Sequence, residues 1–233
     1  MNKLKNIRSL LCDAAHMSQE KCTAFYKTGV GEYAEHDKFI GVNVPTIRKI
    51  ATEFLHLTCK EIQNLIESPF NEERLVALFI LIHWHRGADG AAKEKLYLFY
   101  MRNLKWVNNW NLVDASAHWI IGAHLLKADK SILLTLAKSD VMWERRISIV
   151  STWYFIRHSD LEWTFTISEM LLNDQHDLIH KAVGWMLREA GKQDPDRLIA
   201  FLDQHACRMP RTMLRYSIEK FPEHQRKSYL MRS

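Results

Sequence analysis

Residues 176–190, HDLIHKAVGWMLREA, decide the class of fold. At 100° per residue, Val183, Met186, Leu187 and Ala190 fall on one apolar stripe, while Lys181, Gly184, Trp185, Arg188 and Lys192 fall on the opposite side. That periodicity is helical, and strand alternation is sustained nowhere in the chain. Asp174 ahead of the run and Gly191 behind it read as start and stop signals. Gly184 leaves room for another backbone to approach closely. A tryptophan set among three cations, off the core stripe, reads in two ways. It is a half-buried indole with solvated basic neighbours, or it is an aromatic that faces nucleic acid.

The same signals recur outward from this segment. The spacing predicts helices over 3–14, 18–28, 45–56, 59–68, 71–86, 90–102, 109–127, 130–138, 141–158, 160–173, 175–190, 195–205, 210–220 and 223–230. Thr58 to Glu61 reads as a capping box, and Pro45 and Pro195 stand where a first helical residue belongs, the latter directly after a capping Asp194. Asn71 precedes the apolar run ERLVALFILIHW. Longer first helices start near 71, 109, 141 and 175, a spacing that suits helix pairs stacked as a repeat. With 233 residues, 8 Gly and 5 Pro, the expectation is an all-α solenoid forming a single domain over 1–233.

Hydrophobic residues make up 47% and charged residues 25%, the balance of a soluble globular chain. No run is long and apolar enough for a membrane span, and the opening MNKLKNIRSLLCDAAH carries charges throughout, so neither a membrane anchor nor a secretory leader is expected. Cys12, Cys22, Cys59 and Cys207 form no CxxC pair and read as reduced thiols of a cytoplasmic protein. From residue 181 onward eleven Lys and Arg face six Asp and Glu, a surplus equal to the whole net charge of +5. A localised basic region suits a polyanion such as nucleic acid, and a solvated basic end is the alternative reading.

Three further segments carry the candidate site. In 141–158, Arg146, Val150, Trp153 and Arg157 share a face. Arg146 stands in the first turns, where the helix dipole gives a cation no help, so a phosphate or a carboxylate partner is expected. In 109–127, Trp110 and Asp114 lie one turn apart, and a carboxylate in apolar company is costly unless something stabilises it. In CRMPRTMLRYSIEKF, 207–221, Arg211 and Arg215 are four apart, either a phosphate-contact stripe or solvated surface. His83 with His85, and His176 with His180, lack an identifiable third ligand, so no metal is expected. Walker A, GxGxxG and GxSxG patterns are absent, which leaves nucleotide hydrolysis and lipase-type chemistry unsupported.

Taken together, WNLVD (110–114), WERRISIV (143–150), IHKAVGWMLREAGK (179–192), GVNVPTIRKIA (41–51) and MPRTMLRY (209–216) resemble the AlkD-like DNA alkylation repair family, in the same order over nearly the whole chain. The resemblance implies HEAT-like repeats curved around a concave basic groove. It implies a monofunctional DNA glycosylase that removes N3- and N7-alkylated purines from duplex DNA without needing to flip the base. By motif, Trp110 and Asp114 match the family's Trp and catalytic Asp, Arg146 the arginine of WxxR, and Trp185 and Arg188 the residues of GWxLRE. An aromatic of the second helix, Phe25 or Tyr26, belongs to the same site. Where some relatives carry a further tryptophan before WxxxD, this chain has Asn109.

The expected catalytic set is therefore Asp114, Trp110 and Trp185. The expected DNA contacts are Arg146, Lys181, Arg188, Lys192, Arg157, Arg211, Arg215, Tyr26 and Phe25. No metal or cofactor is expected. The expected partner is double-stranded DNA containing alkylated purines, bound by a monomer in the cytoplasm, on the nucleoid if the source is bacterial. Two other classes remain: a non-catalytic protein that binds damaged or branched DNA, and a helical scaffold that binds protein.

Overall fold

The structure, a computed structural model, describes residues 3–232. The described residues form helices joined by loops, the longest being 27–43 between α2 and α3, and contain no strand, only an isolated bridge between Lys38 and Phe70. In chain order these are α1 (Lys3–Asp13), α2 (Gln19–Tyr26), α3 (Val44–Glu53), α4 (Cys59–Ile66), α5 (Asn71–Gly87), α6 (Gly90–Arg102) and α7 (Trp110–Ala117). A π-helical turn (His118–Gly122) leads into α8 (Ala123–Leu125). There follow α9 (Ile132–Ala137), α10 (Met142–Ile156), α11 (Glu162–Met170), α12 (Asp177–Gln193), α13 (Pro195–His205), α14 (Arg211–Ser217) and α15 (Glu223–Met231). The chain divides into two compact units, the first ending at Ser116 and the second beginning at Ala117.

In the first unit α5 is the central helix. Every residue from Asn71 to Ile82 is buried, because α1, α3, α4 and α6 pack around it. Its apolar stretch accounts for most of that core. Its first turn, however, buries Asn71, Glu72, Glu73 and Arg74, and these need internal partners. In the second unit the π turn with α8, then α10, α12 and α14, pack each against the next, while α9, α11 and α13 lie against the same helices. This is the expected all-α, helical-repeat class. The stripe Val183, Met186, Leu187 and Ala190 is fully buried, as its periodicity requires.

Glycine sets the contact between layers. A Cβ on Gly184 would lie 2.5 Å from the Met213 carbonyl oxygen and 2.5 Å from the Tyr216 Cβ. A Cβ on Gly122 would run into the Ser151 carbonyl oxygen and lie 2.7 Å from the Tyr154 Cβ. Gly184, Met213 and Tyr216 each stand sixty-two residues after their counterparts Gly122, Ser151 and Tyr154, so two repeats separate two uses of the same contact.

Several boundaries differ from the sequence reading. The helix expected over 109–127 is interrupted by the π turn, which inserts an extra residue into the helical ladder. Gly191 does not stop its helix; α12 runs on to Gln193, and Gly191 is small because the Leu198 side chain packs onto it. Asp174 lies before the helix start, where its carboxylate accepts from the His176 N–H at 2.9 Å and pairs with Arg145 at 2.6 Å. Asn71 is the first helical residue rather than the cap, which is Phe70. The capping box at Thr58 and the Asp194–Pro195 start form as expected.

Gly184→Ala is expected to destabilise the protein by roughly 1–3 kcal/mol through overpacking against backbone. Gly87→Ala, where nothing lies within 4 Å, should stay within about 1 kcal/mol of the parent. Urea unfolding monitored by circular dichroism compares the two.

Candidate active site

The start of α7 is held by a buried polar network. Asn109 is completely buried. Its Oδ1 accepts from the Trp110 N–H at 2.7 Å, and its backbone carbonyl accepts the first helical bonds, from Leu112 and Val113. Its Nδ2 donates to Asp37 Oδ2 at 2.7 Å. The other Asp37 oxygen pairs with Arg74, and Asn71 Nδ2 also donates to Asp37 Oδ2, at 2.9 Å. Asn71 and Asn111 exchange amide hydrogen bonds, and Arg74 donates to the Ser68 carbonyl at 3.2 Å. Beside this, Glu72 accepts the N–H groups of Ile40 and Gly41 at 3.0 and 2.8 Å, and that of Val42 at 3.3 Å. The loop between α2 and α3 is thus tied to the first turn of α5 and the first residue before α7.

That anchoring fixes a stack of rings. Tyr26 lies flat on Phe39 with centroids 3.8 Å apart and stacks on Trp110 at 5.6 Å. Phe25 meets Trp110 edge-on at 5.6 Å. Both candidates for the second-helix aromatic therefore touch Trp110, but they differ in kind. Tyr26 is buried, whereas Phe25 is 58% exposed. Burial pushes the Tyr26 phenol up to about 12, and the nearby Glu72 and Asp37 carboxylates add to the shift, so it stays a neutral phenol at physiological pH. Asp114 follows Trp110 by one turn and is half-buried. The first unit thus presents a carboxylate beside a braced indole, flanked by an exposed phenyl ring.

In the second unit Arg146 is 5% exposed, and its guanidinium donates to the Leu178 carbonyl. Its helix face turns outward along α10: Val150 is buried, Trp153 half-buried and Arg157 exposed. The Trp153 ring meets Trp185 at 5.0 Å and His118 at 4.6 Å. The Arg157 guanidinium lies 5.4 Å from the Trp119 ring and 5.5 Å from the Trp153 ring.

A profile of the family described as DNA alkylation repair enzyme matches residues 11–221. The chain belongs to that family. Among solved structures it is similar to one described as a predicted DNA alkylation repair enzyme from Enterococcus faecalis, with a TM-score of 0.68 and 15% identity over 90% of this chain and 98% of the other. At that identity the likeness supports the fold alone. No curated protein sequence matches the chain.

Within this family member the expected DNA-contacting cations separate into two groups. Lys181 pairs with Asp177 at 2.7 Å, Arg188 with Glu219 and Glu189, and Lys192 with Glu189 at 2.7 Å. Arg211 donates to the Leu230 carbonyl at 2.7 Å. Arg157 and Arg215 are exposed and pair with no carboxylate among the described residues. Sequence reasoning missed Asp37, Asn71, Arg74 and the bracing role of Asn109. The available signals were NEER opening a helix whose next eight residues, 75–82, are apolar, and the amide-rich NNWN around Trp110.

Asp37→Ala is expected to destabilise the fold by about 3–5 kcal/mol, because it leaves the Arg74 charge buried without its partner. Lys227→Ala removes an exposed pair with Glu223 and should change stability by less than about 0.5 kcal/mol. Chemical denaturation distinguishes the two magnitudes.

Proposed function

We propose that the protein is a monofunctional DNA glycosylase that releases cationic N3- and N7-alkylpurines from duplex DNA. The observation that carries this reading is Asp114, half-buried one turn from Trp110, on a helix whose start is locked by Asn109 and Asp37. An alkylated N3-adenine or N7-guanine is already a positively charged leaving group. Breaking its bond to C1′ leaves an oxocarbenium-like sugar, and a fixed carboxylate stabilises that charge and orients the attacking water. Trp110 offers a π face to the developing cation, and Trp185 is assigned a similar role by the family motif. Preorganisation is what such a carboxylate needs, since a group already in place loses no energy to reorientation as charge develops.

Arg146 fits an internal positioning role better than a phosphate contact, because most of its surface is buried and part of its donor fork is committed to Leu178. Phe25 and Arg157 are the exposed candidates for touching DNA. Among the described residues no helix is long and apolar enough to cross a membrane, which accords with a DNA partner. We assign the action to a monomer in the DNA-containing compartment.

Asp114→Asn should lower release of 7-methylguanine and 3-methyladenine from methylated duplex at least about a hundredfold while leaving duplex binding in place. Mass spectrometry of released bases reads this directly. Full activity in that variant removes the catalytic assignment; salt-sensitive duplex binding by a wild type that releases no base points instead to a binding-only protein. Arg157→Ala should reduce the salt slope of duplex binding by about one, whereas Arg146→Ala should leave the slope unchanged and lower stability.

A further inference from the structure

The second unit carries two indoles, Trp119 and Trp153, that the proposed chemistry does not use. Trp119 on the π turn and Trp153 on α10 are half-buried, and Trp185 on α12 adjoins Trp153. His118 lies against both Trp119 and Trp153, and Tyr154 meets Trp119 edge-on at 6.0 Å. Between the Trp119 and Trp153 rings stands Arg157, exposed and without a carboxylate partner among the described residues. Most neighbouring cations of this unit are matched by acids: Arg145 with Asp174, Lys130 with Asp160, Arg188 with Glu219, Arg197 with Glu162. A guanidinium kept over two indoles, with no acid beside it, retains its charge for an outside anion.

The repeat sharpens this. In the register set by Gly122 and Gly184, the positions of Trp119 and Trp153 in the earlier layers are taken by Lys181 and Arg215 in the later ones. Equivalent places on successive layers thus change from flat rings to cations. A ligand that satisfies both carries flat unsaturated groups and phosphates along one strand. In an intact duplex the base faces are already stacked on one another and cannot lie on an indole. Single strands offer them freely, and a base on an aromatic ring is sequence-tolerant.

We propose that Trp119 and Trp153, with Arg157 between them and Trp185 at the edge, form a stacking platform for unpaired deoxynucleotides. The proposal rests on the reading of the chain as DNA-acting and adds a second class of DNA structure to it. Arg157 lies over the rings; on binding, its guanidinium turns to a phosphate while the indoles accept bases. No covalent step is involved.

The test uses oligothymidylate, which cannot pair with itself, and tryptophan fluorescence of the full chain. Wild type should show saturable quenching that weakens with salt. Trp153→Leu should bind the oligonucleotide about tenfold or more weakly, the loss of one stacked base, while Trp153→Phe, which keeps a π face, should recover most of the affinity. Circular dichroism and the urea midpoint show that Trp153→Leu is folded. Oligothymidylate binding that is equal in wild type and Trp153→Leu overturns the platform, as does equal competition by inorganic polyphosphate, which has charge but no bases. Duplex base release without any oligothymidylate binding overturns it while leaving the glycosylase reading intact. Oligothymidylate binding that needs Trp153, in a protein that releases no base, supports the platform and removes only the glycosylase reading.

Discussion

The first unit depends on the ion pair between Asp37 and Arg74. Both side chains are almost wholly removed from water, at 0% and 2% exposure. Such a pair is not an economical way to gain stability, because desolvating two charges offsets most of their attraction. Its effect is on uniqueness. Once buried, the carboxylate must receive Asn71 and Asn109 as well as Arg74, and the guanidinium must reach the Ser68 carbonyl. Those demands are met by one arrangement of the α2–α3 loop, the first turn of α5 and the residue before α7. An apolar plug of the same volume would tolerate sliding; a directional network does not.

What the network holds in place is the ring stack under Trp110. Tyr26 is clamped between Phe39 and Trp110, so the indole next to Asp114 has a rigid back wall. The neutral phenol matters here, since an anionic tyrosinate would sit beside Glu72 and Asp37. The division of work between adjacent residues follows from helical geometry. Successive side chains on α2 point about 100° apart, so when Tyr26 enters the core Phe25 is turned to solvent while still reaching the edge of Trp110. One residue braces the site and the other is available to whatever enters it.

The helices and their apolar stripes were legible because periodicity is a local property that a core must respect. Trp110, Asp114, Arg146 and Trp185 stood out through their resemblance to family motifs, and their roles are proposals. Their surroundings were not legible. Asn109 reads as a departure from relatives that carry tryptophan there, yet its amide is what joins α7 to Asp37, a partner seventy-two positions away. Nothing local distinguishes Asp37 from any loop aspartate. Gly191 looks like a stop signal, but Leu198 from the next helix requires its smallness. Arg146 and Arg157 share a helical face on paper, but Arg146 is buried with its guanidinium on the Leu178 carbonyl, while Arg157, the residue that caps the end of α10, is exposed. Charge was the least legible feature, because a count of cations cannot see that Glu189 and Glu219 neutralise Arg188 and Lys192.

That neutralisation changes how a basic surface can select its ligand. Exposed pairs such as Lys181–Asp177 contribute little stability and are screened by salt, so a polyanion can displace the acid, but it must compete with it. Paired cations therefore respond weakly to isolated phosphates and more strongly to an array that replaces several acids at once. Arg157 and Arg215 face no such competition. A surface composed mostly of paired cations with a few unpaired ones discriminates by the density and spacing of phosphate, and rings beside the unpaired cations add discrimination by base exposure. On the proposed chemistry, that is a useful division. The lesion supplies its own leaving-group charge, so the protein has only to hold a carboxylate rigidly near the sugar, and the buried network beneath Trp110 meets that requirement without a deep base pocket.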